Sequence, residues 1–239
     1  FEPPYMEAEG MDCDFVGHPI AAMGPMAPKK ITNFQKKYKI DPVQPSLVIL
    51  PGSRLSEVKR LLPIFCDVLR RNEFSNFQLI FPTLPHLKEY IVSTISGLPN
   101  KTYVITGQNL TAEEATQQRL VAFSSAGVAL AASGTVSLEL ASVGTPMVIA
   151  YDMSWLSRWI INAMLRVDTV SLVNLISNTR DIPELLGKDC RAELITQELK
   201  HVLANPNLQI EVFNTTMKLL GRGDDKIADR AALAILAKL

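Results

Sequence analysis

Between Leu120 and Tyr151 only one of 32 residues, Glu139, carries an acidic or basic side chain. Such a span can be buried almost whole, so it dictates what the rest of the chain packs around. Its central stretch, Ala129–Ala150, reads ALAASGTVSLELASVGTPMVIA. An apolar run ends in Ser133-Gly134-Thr135, a helix-length segment follows to Val143, Gly144 closes it, and Pro146 opens a second apolar run, Met147–Ala150. The pattern predicts strand, turn, helix, turn, strand.

A carboxylate left unpaired in such surroundings would cost several kcal/mol, so Glu139 needs a partner. The helix N-terminus at Ser133, Gly134 and Thr135 offers unpaired N–H groups and a positive dipole end, which suit phosphate. Two readings stay open. In one, the turn holds a nucleotide diphosphate and Glu139 accepts hydrogen bonds from the ribose hydroxyls. In the other, Ser133 or Thr135 merely caps the helix and Glu139 pairs with a buried arginine or a backbone donor. A capping box does not account for Glu139, because as third helical residue it would require Val136 as the cap.

Upstream, Ser46–Leu50 is a buried-strand run, followed by Pro51-Gly52-Ser53-Arg54 and a helix to about Arg71, with Val58, Leu61, Leu62, Phe65, Val68 and Leu69 at helical spacing. Here too a glycine turn precedes a helix, and Arg54 adds a bidentate cation. Arg54 alternatively pairs with Glu57 on the surface, worth a few tenths of a kcal/mol. Phe77–Phe81 and Thr102–Thr106 are further strands, with a helix over Leu84–Ile95 and another starting at a Thr111 cap with an acidic first turn. This alternation implies an α/β fold with a Rossmann-like, doubly wound parallel sheet and ligands at the carboxyl ends of the strands. No G-x-G-x-x-G or G-x-x-x-x-G-K-[ST] occurs.

Prolines punctuate residues 1–28, which read as a linker with a strand-like Asp14-Phe15-Val16. Lys29–Lys39 reads as a basic, solvated helix. After the central unit, Ser154–Leu165 is strongly apolar, with Trp155 and Trp159 beside Arg158 and Arg166; it packs in the core or lies against a membrane or a partner. Asp168–Val173 reads as a strand ending at Asn174, whose amide either reaches a polar ligand or caps a turn. Three amphipathic helices, roughly Arg191–Ala204, Leu208–Leu220 and Lys226–Lys238, close the chain.

With 239 residues and 47% hydrophobic content the chain makes one large domain, or a domain plus a fragment. Zero net charge argues against a nucleic-acid surface. Cys13, Cys66 and Cys190 match no metal spacing and suit a reducing compartment, and the sequons at Asn100, Asn109 and Asn214 carry no weight without secretion. Asp12-Cys13-Asp14 has the form of a metal-holding acidic pair, but it precedes a strand-like stretch where such a pair would end one, and no metal is expected. Leu120–Leu138 is long enough to span a membrane, yet Gly127, Gly134 and five Ser or Thr residues interrupt it, so buried core is the better reading. The chain opens Phe1-Glu2-Pro3-Pro4, without initiator Met or signal-peptide pattern, so a missing N-terminal part is expected.

Leu50-Pro51-Gly52-Ser53-Arg54 with Glu57, Ala132-Ser133-Gly134-Thr135 with Glu139, and Ser171-Leu172-Val173-Asn174-Leu175 together resemble the lipid-A-disaccharide synthase family, and Phe15-Val16-Gly17-His18-Pro19 looks like its domain-crossing segment. The resemblance implies a two-domain GT-B glycosyltransferase that transfers 2,3-diacylglucosamine from UDP to 2,3-diacylglucosamine 1-phosphate. The step is inverting and metal-independent, with no cofactor beyond UDP as donor and product. This chain would be the C-terminal half: 1–28 a linker and remnant of the N-terminal domain, 29–239 the UDP-sugar-binding domain. By resemblance Gly52, Ser53, Arg54, Ser133, Gly134 and Thr135 hold the diphosphate, Glu139 the ribose, and Asn174 lies near the site, with entry from a swapped subunit as one option. Arg54, Glu139 and Asn174 are the implied catalytic residues, while the general base, an aspartate of the N-terminal half, has no counterpart here. The implied partners are the two lipid substrates, the cytoplasmic face of the inner membrane and a second copy in a homodimer, with no nucleic acid. Val173 departs from a proline frequent in the family, and Asp152 from a basic or neutral residue. Another UDP-sugar GT-B enzyme, such as a peptidoglycan transferase or a 2-epimerase, and a truncated, non-catalytic UDP-binding module are the alternatives.

Overall fold

The computed structural model describes residues 3–152, 169–223 and 227–237. The Ser154–Leu165 segment, with Trp155 and Trp159, lies outside the described residues.

In chain order the elements are α1 (Pro3–Ala8), α2 (Pro28–Tyr38), β1 (Ser46–Leu50), α3 (Leu55–Leu69), β2 (Gln78–Thr83), α4 (Lys88–Ile95), β3 (Thr102–Thr106), α5 (Ala112–Ser124), β4 (Val128–Ala131), α6 (Val136–Val143), β5 (Met147–Tyr151), α7 (Leu172–Ser177), β6 (Glu184–Leu186), α8 (Ala192–Ala204), α9 (Pro206–Leu219) and α10 (Ile227–Leu236). The strands form one six-stranded sheet in the order β3-β2-β1-β4-β5-β6, with every pairing parallel. Helices cover both faces. Val48, Leu50, Ala129, Ala131, Met147 and Ile149 belong to one buried cluster with Phe123, Leu140 and Phe213. The alternate residues Leu47, Ile49, Val128, Leu130, Val148 and Ala150 belong to the other, with Phe65, Leu69, Ile195 and Leu199. Burial on both faces is why these strands read as unbroken apolar runs.

The strand order reverses between β1 and β4, the point at which open α/β sheets leave a ligand crevice at the carboxyl ends. The register widens that crevice. β1 pairs with β4 to its last residue, Leu50↔Ala131, whereas its pairing with β2 stops at Val48↔Ile80. Beyond that point β2 runs through Pro82, whose missing N–H is tolerated where no ladder bond is due.

Three expectations are corrected, and one strand is new. Asp14-Phe15-Val16 is not a strand, since residues 11–18 adopt no regular structure. The stretch before Asn174 is not a strand either: Leu172–Ser177 is a helix that contains Asn174. A three-residue strand, Glu184–Leu186, completes the sheet and was not anticipated. The linker reading needs revision for its second half, because Ile20 and Ala21 are buried in the core. Residues 18–23 are tied to the end of α9. His18 N donates to Leu220 O (3.0 Å), and Arg222 donates to the carbonyls of Ala21, Met23 and, at 3.0 Å, Ser142. Burial of the Arg222 guanidinium pulls its pKa below the ordinary value.

Candidate active site

The crevice holds a cavity of about 520 Å³ whose walls come from the ends of β1, β2, β3 and β4, the starts of α3 and α6, and one face of α5. Gly52, Ser53, Arg54, Ser133, Gly134, Thr135 and Glu139 all line it. Seven of the eight residues singled out in the sequence thus converge on one space from segments some 80 residues apart. Asn174 does not line it.

The two strand–helix turns differ in what they leave open. In the β1–α3 turn the Glu57 carboxylate already sits on the helix N-terminus: its Oε2 accepts from Ser53 N (3.1 Å) and Arg54 N (3.2 Å), and its Oε1 from Arg54 Nη1 (3.0 Å). The Arg54–Glu57 pair is therefore formed, but Glu57 does more than pair, because it satisfies backbone donors that are otherwise open to an anion. Its side chain is only 16% exposed, while that of Arg54 is 78% exposed and keeps Nε and Nη2 without an acceptor among the described residues. Gly52 is required here. Its φ is +127°, and an added Cβ would lie 2.7 Å from Glu57 Cβ.

The β4–α6 turn is open. Thr135 is the N-cap with no side-chain cap bond, and Ser133 Oγ turns away to donate to Val170 O (3.2 Å). Neither side chain acts as a cap. The N–H groups of Gly134, Thr135 and Val136 donate to no acceptor among the described residues. Gly134, at φ +141°, gives the turn a conformation that other residues rarely adopt.

Glu139, in the first turn of α6, meets Arg119 of α5. Arg119 Nε donates to Oε2 at 2.8 Å and Nη2 to Oε1 at 2.9 Å, with side chains 35% and 20% exposed. Of the two sequence readings of Glu139, pairing with an arginine is the one realised. That arginine was legible: it is the residue immediately before the span whose one charged side chain is Glu139. Ala115, Gln118 and Arg119, at helical spacing i, i+3 and i+4, all line the cavity. Thr83, at the end of β2, was also missed; its Oγ1 is buried without a hydrogen-bond partner on the cavity wall.

Asn174 is fully buried, and its amide is committed within the fold. Nδ2 donates to Ile182 O (2.9 Å) and Glu184 Oε1 (2.8 Å), and Oδ1 accepts from Ile182 N (3.0 Å). Glu184 in turn accepts from Val170 N (2.9 Å), Ser171 N (3.0 Å) and Thr169 Oγ1. Asn174 thereby shapes the loop against which Ser133 rests. Among the described residues there is no group of three or more His, Cys, Asp or Glu that could hold a metal, and no helix long and apolar enough to cross a membrane.

Solved glycosyltransferase structures share this architecture. The chain superposes on Escherichia coli ADP-heptose LPS heptosyltransferase II with a TM-score of 0.57, at 10% identity, over 76% of this chain and 53% of that one. For sucrose-phosphate synthase of Thermosynechococcus elongatus the TM-score is 0.58, at 12% identity, over 99% and 55%. These likenesses establish the Rossmann-like α/β fold. By sequence, the lipid-A-disaccharide synthase of Ruegeria pomeroyi is 42% identical over 100% of this chain and 60% of that protein, and that of Rhodospirillum centenum 35% identical over 99% and 58%. The chain thus spans about 60% of the length of these relatives. The family model for lipid-A-disaccharide synthetase matches residues 1–235, and the chain belongs to that family.

Proposed function

We propose that this chain is the UDP-sugar-binding half of a glycosyltransferase that joins UDP-2,3-diacylglucosamine to 2,3-diacylglucosamine 1-phosphate, releasing UDP. The observation that carries this reading is the open β4–α6 turn lining one cavity with Glu139 and with Arg54, whose Nε and Nη2 have no acceptor among the described residues. The diphosphate is assigned to the N–H groups of Gly134, Thr135 and Val136 together with Arg54 Nε and Nη2. Gly52 and Ser53 serve indirectly, since Glu57 occupies the donors of their turn. The ribose is assigned to Glu139.

The two arginines and two glutamates lining the cavity cancel in formal charge. Selectivity for a polyanion then falls to the α6 N-terminus and to the directed donors of Arg54. In direct displacement the acceptor hydroxyl attacks the anomeric carbon while UDP departs, so negative charge grows on the diphosphate. Donors fixed at that position act more strongly on the transition state than on the ground state. The base that takes the acceptor proton is assigned to the part of the protein that this chain does not span. A peripheral location at the inner membrane and a homodimer complete the proposal; the exposed Leu233, Ile235 and Leu236 of α10 offer an apolar surface for a second copy.

Arg54→Ala in the complete enzyme is expected to lower turnover about 10²-fold or more, read with radiolabelled lipid substrates. An unchanged kcat/KM would remove Arg54 from the mechanism. Calorimetric titration with UDP tests the binding reading itself, and absence of heat at millimolar UDP would refute it.

A further inference from the structure

We propose that Arg119 is a positioning residue for nucleotide recognition, holding the Glu139 carboxylate so that it selects a ribose diol over a deoxyribose; this rests on the nucleotide reading above. Nε and Nη2 of Arg119 make two near-parallel bonds of 2.8 and 2.9 Å to the two carboxylate oxygens. A planar fork of this kind fixes the plane and rotation of the carboxylate, not only its distance. Each carboxylate oxygen has two acceptor directions. Arg119 takes one on each, which leaves one on each oxygen. Two acceptors held at the spacing of a single carboxylate match two neighbouring hydroxyls and are half used by one.

The placement of Arg119 is built in. Thr111 and Glu114 cap α5 reciprocally, with Glu114 N to Thr111 Oγ1 at 3.2 Å and Thr111 N to Glu114 Oε2 at 2.8 Å. Gly107 lets the strand end approach α5 so closely that an added Cβ would lie 2.6 Å from Ala115 Cβ. Gln118 Nε2 donates to Tyr38 OH at 2.8 Å, which ties α5 to α2 beside Arg119. Both members of the pair line the cavity and come from different helices, so the pair spans the cavity wall and does not decorate one helix surface. Without the fork, the guest itself would have to order a flexible glutamate, which weakens binding.

The test is calorimetric titration of UDP and of 2′-deoxy-UDP into the protein and into Arg119→Met, Arg119→Lys and Glu139→Gln, with circular dichroism confirming the fold. The unsubstituted protein is expected to prefer UDP by about tenfold or more, the worth of a hydrogen bond to a charged acceptor. Arg119→Met and Glu139→Gln are expected to bring that ratio close to one, with 2′-deoxy-UDP affinity falling less than UDP affinity because a single hydroxyl uses half of the carboxylate. Arg119→Lys, which keeps the charge but not the fork, is expected to fall between, and it carries the test if Arg119→Met does not fold. A preference that persists in Arg119→Met, or is full in Arg119→Lys, overturns the positioning role and leaves the nucleotide site intact. No binding of UDP by the unsubstituted protein overturns the nucleotide reading and this proposal with it.

Discussion

Replacing Gly52 by alanine is expected to destabilise the protein and to weaken UDP binding at the same time, because one glycine serves both. With φ at +127° the backbone lies where side chains are rarely found, a strain of about 1–3 kcal/mol for alanine. The new Cβ would meet Glu57 Cβ at 2.7 Å and Oε2 at 2.8 Å. The first of these atoms belongs to the stem of a helical residue and cannot swing aside. Glu57 must shift, and its bonds to Ser53 N, Arg54 N and Arg54 Nη1 loosen together. Loss of a helix cap adds about 1 kcal/mol, for a total of roughly 2–4 kcal/mol. For a domain of this size the melting temperature should fall by roughly 4–16 °C. Urea unfolding gives the free energy, and calorimetry gives the UDP affinity. Gly97→Ala is the control: an added Cβ there meets nothing within 4 Å, so its stability should stay within about 0.5 kcal/mol. A Gly52→Ala protein as stable as that control, with unaltered UDP affinity, would refute the claim that Gly52 and Glu57 are locked together.

Gln209→Leu should cost about 2–4 kcal/mol in urea unfolding with an unchanged m-value. Gln209 accepts from Met147 N (2.8 Å) and donates to Met147 O (2.9 Å), standing in for a strand where β6 is too short to reach, and leucine would leave both groups buried and unpaired. A loss below about 1 kcal/mol would mean that water replaces the amide. Burial, aided by the Asp152 carboxylate, pushes the Cys190 thiol from 9.0 up to about 12. The folded protein therefore retains a proton that the unfolded chain loses between those values, so stability falls as pH rises from about 9 toward 12. Cys190→Ala should flatten that alkaline slope, and a slope unchanged by the substitution would show that other groups set it.

Much of the fold was legible because its signals are local. Apolar runs of strand length, Gly144 as a left-handed helix stop and the Thr111 cap are written in adjacent residues, and each appears where the pattern puts it. The 169–186 region was not legible, because its determinants are distant. Ser171–Ser177 is an apolar run of a length that suits either strand or helix. What decides it is Glu184, accepting from Val170 N and Ser171 N, and Ile182, whose backbone saturates Asn174. A motif match for Asn174 could not reveal that both of its amide donors are taken within the fold. The β1–α3 turn was read as an anion cradle because it has the right glycine. The glutamate at the third helical position was the available sign that the cradle carries its own anion.

Fastening residues 18–23 to Leu220 and Arg222 joins two segments some 200 residues apart in one clasp. Tension along the polypeptide, from before residue 18 to beyond residue 222, would run through that clasp and bypass the six strands. A neighbouring segment that swings or pulls therefore levers first on this clasp, and Arg222, which also holds Ser142 O of α6, passes part of the load to the helix beside the sheet.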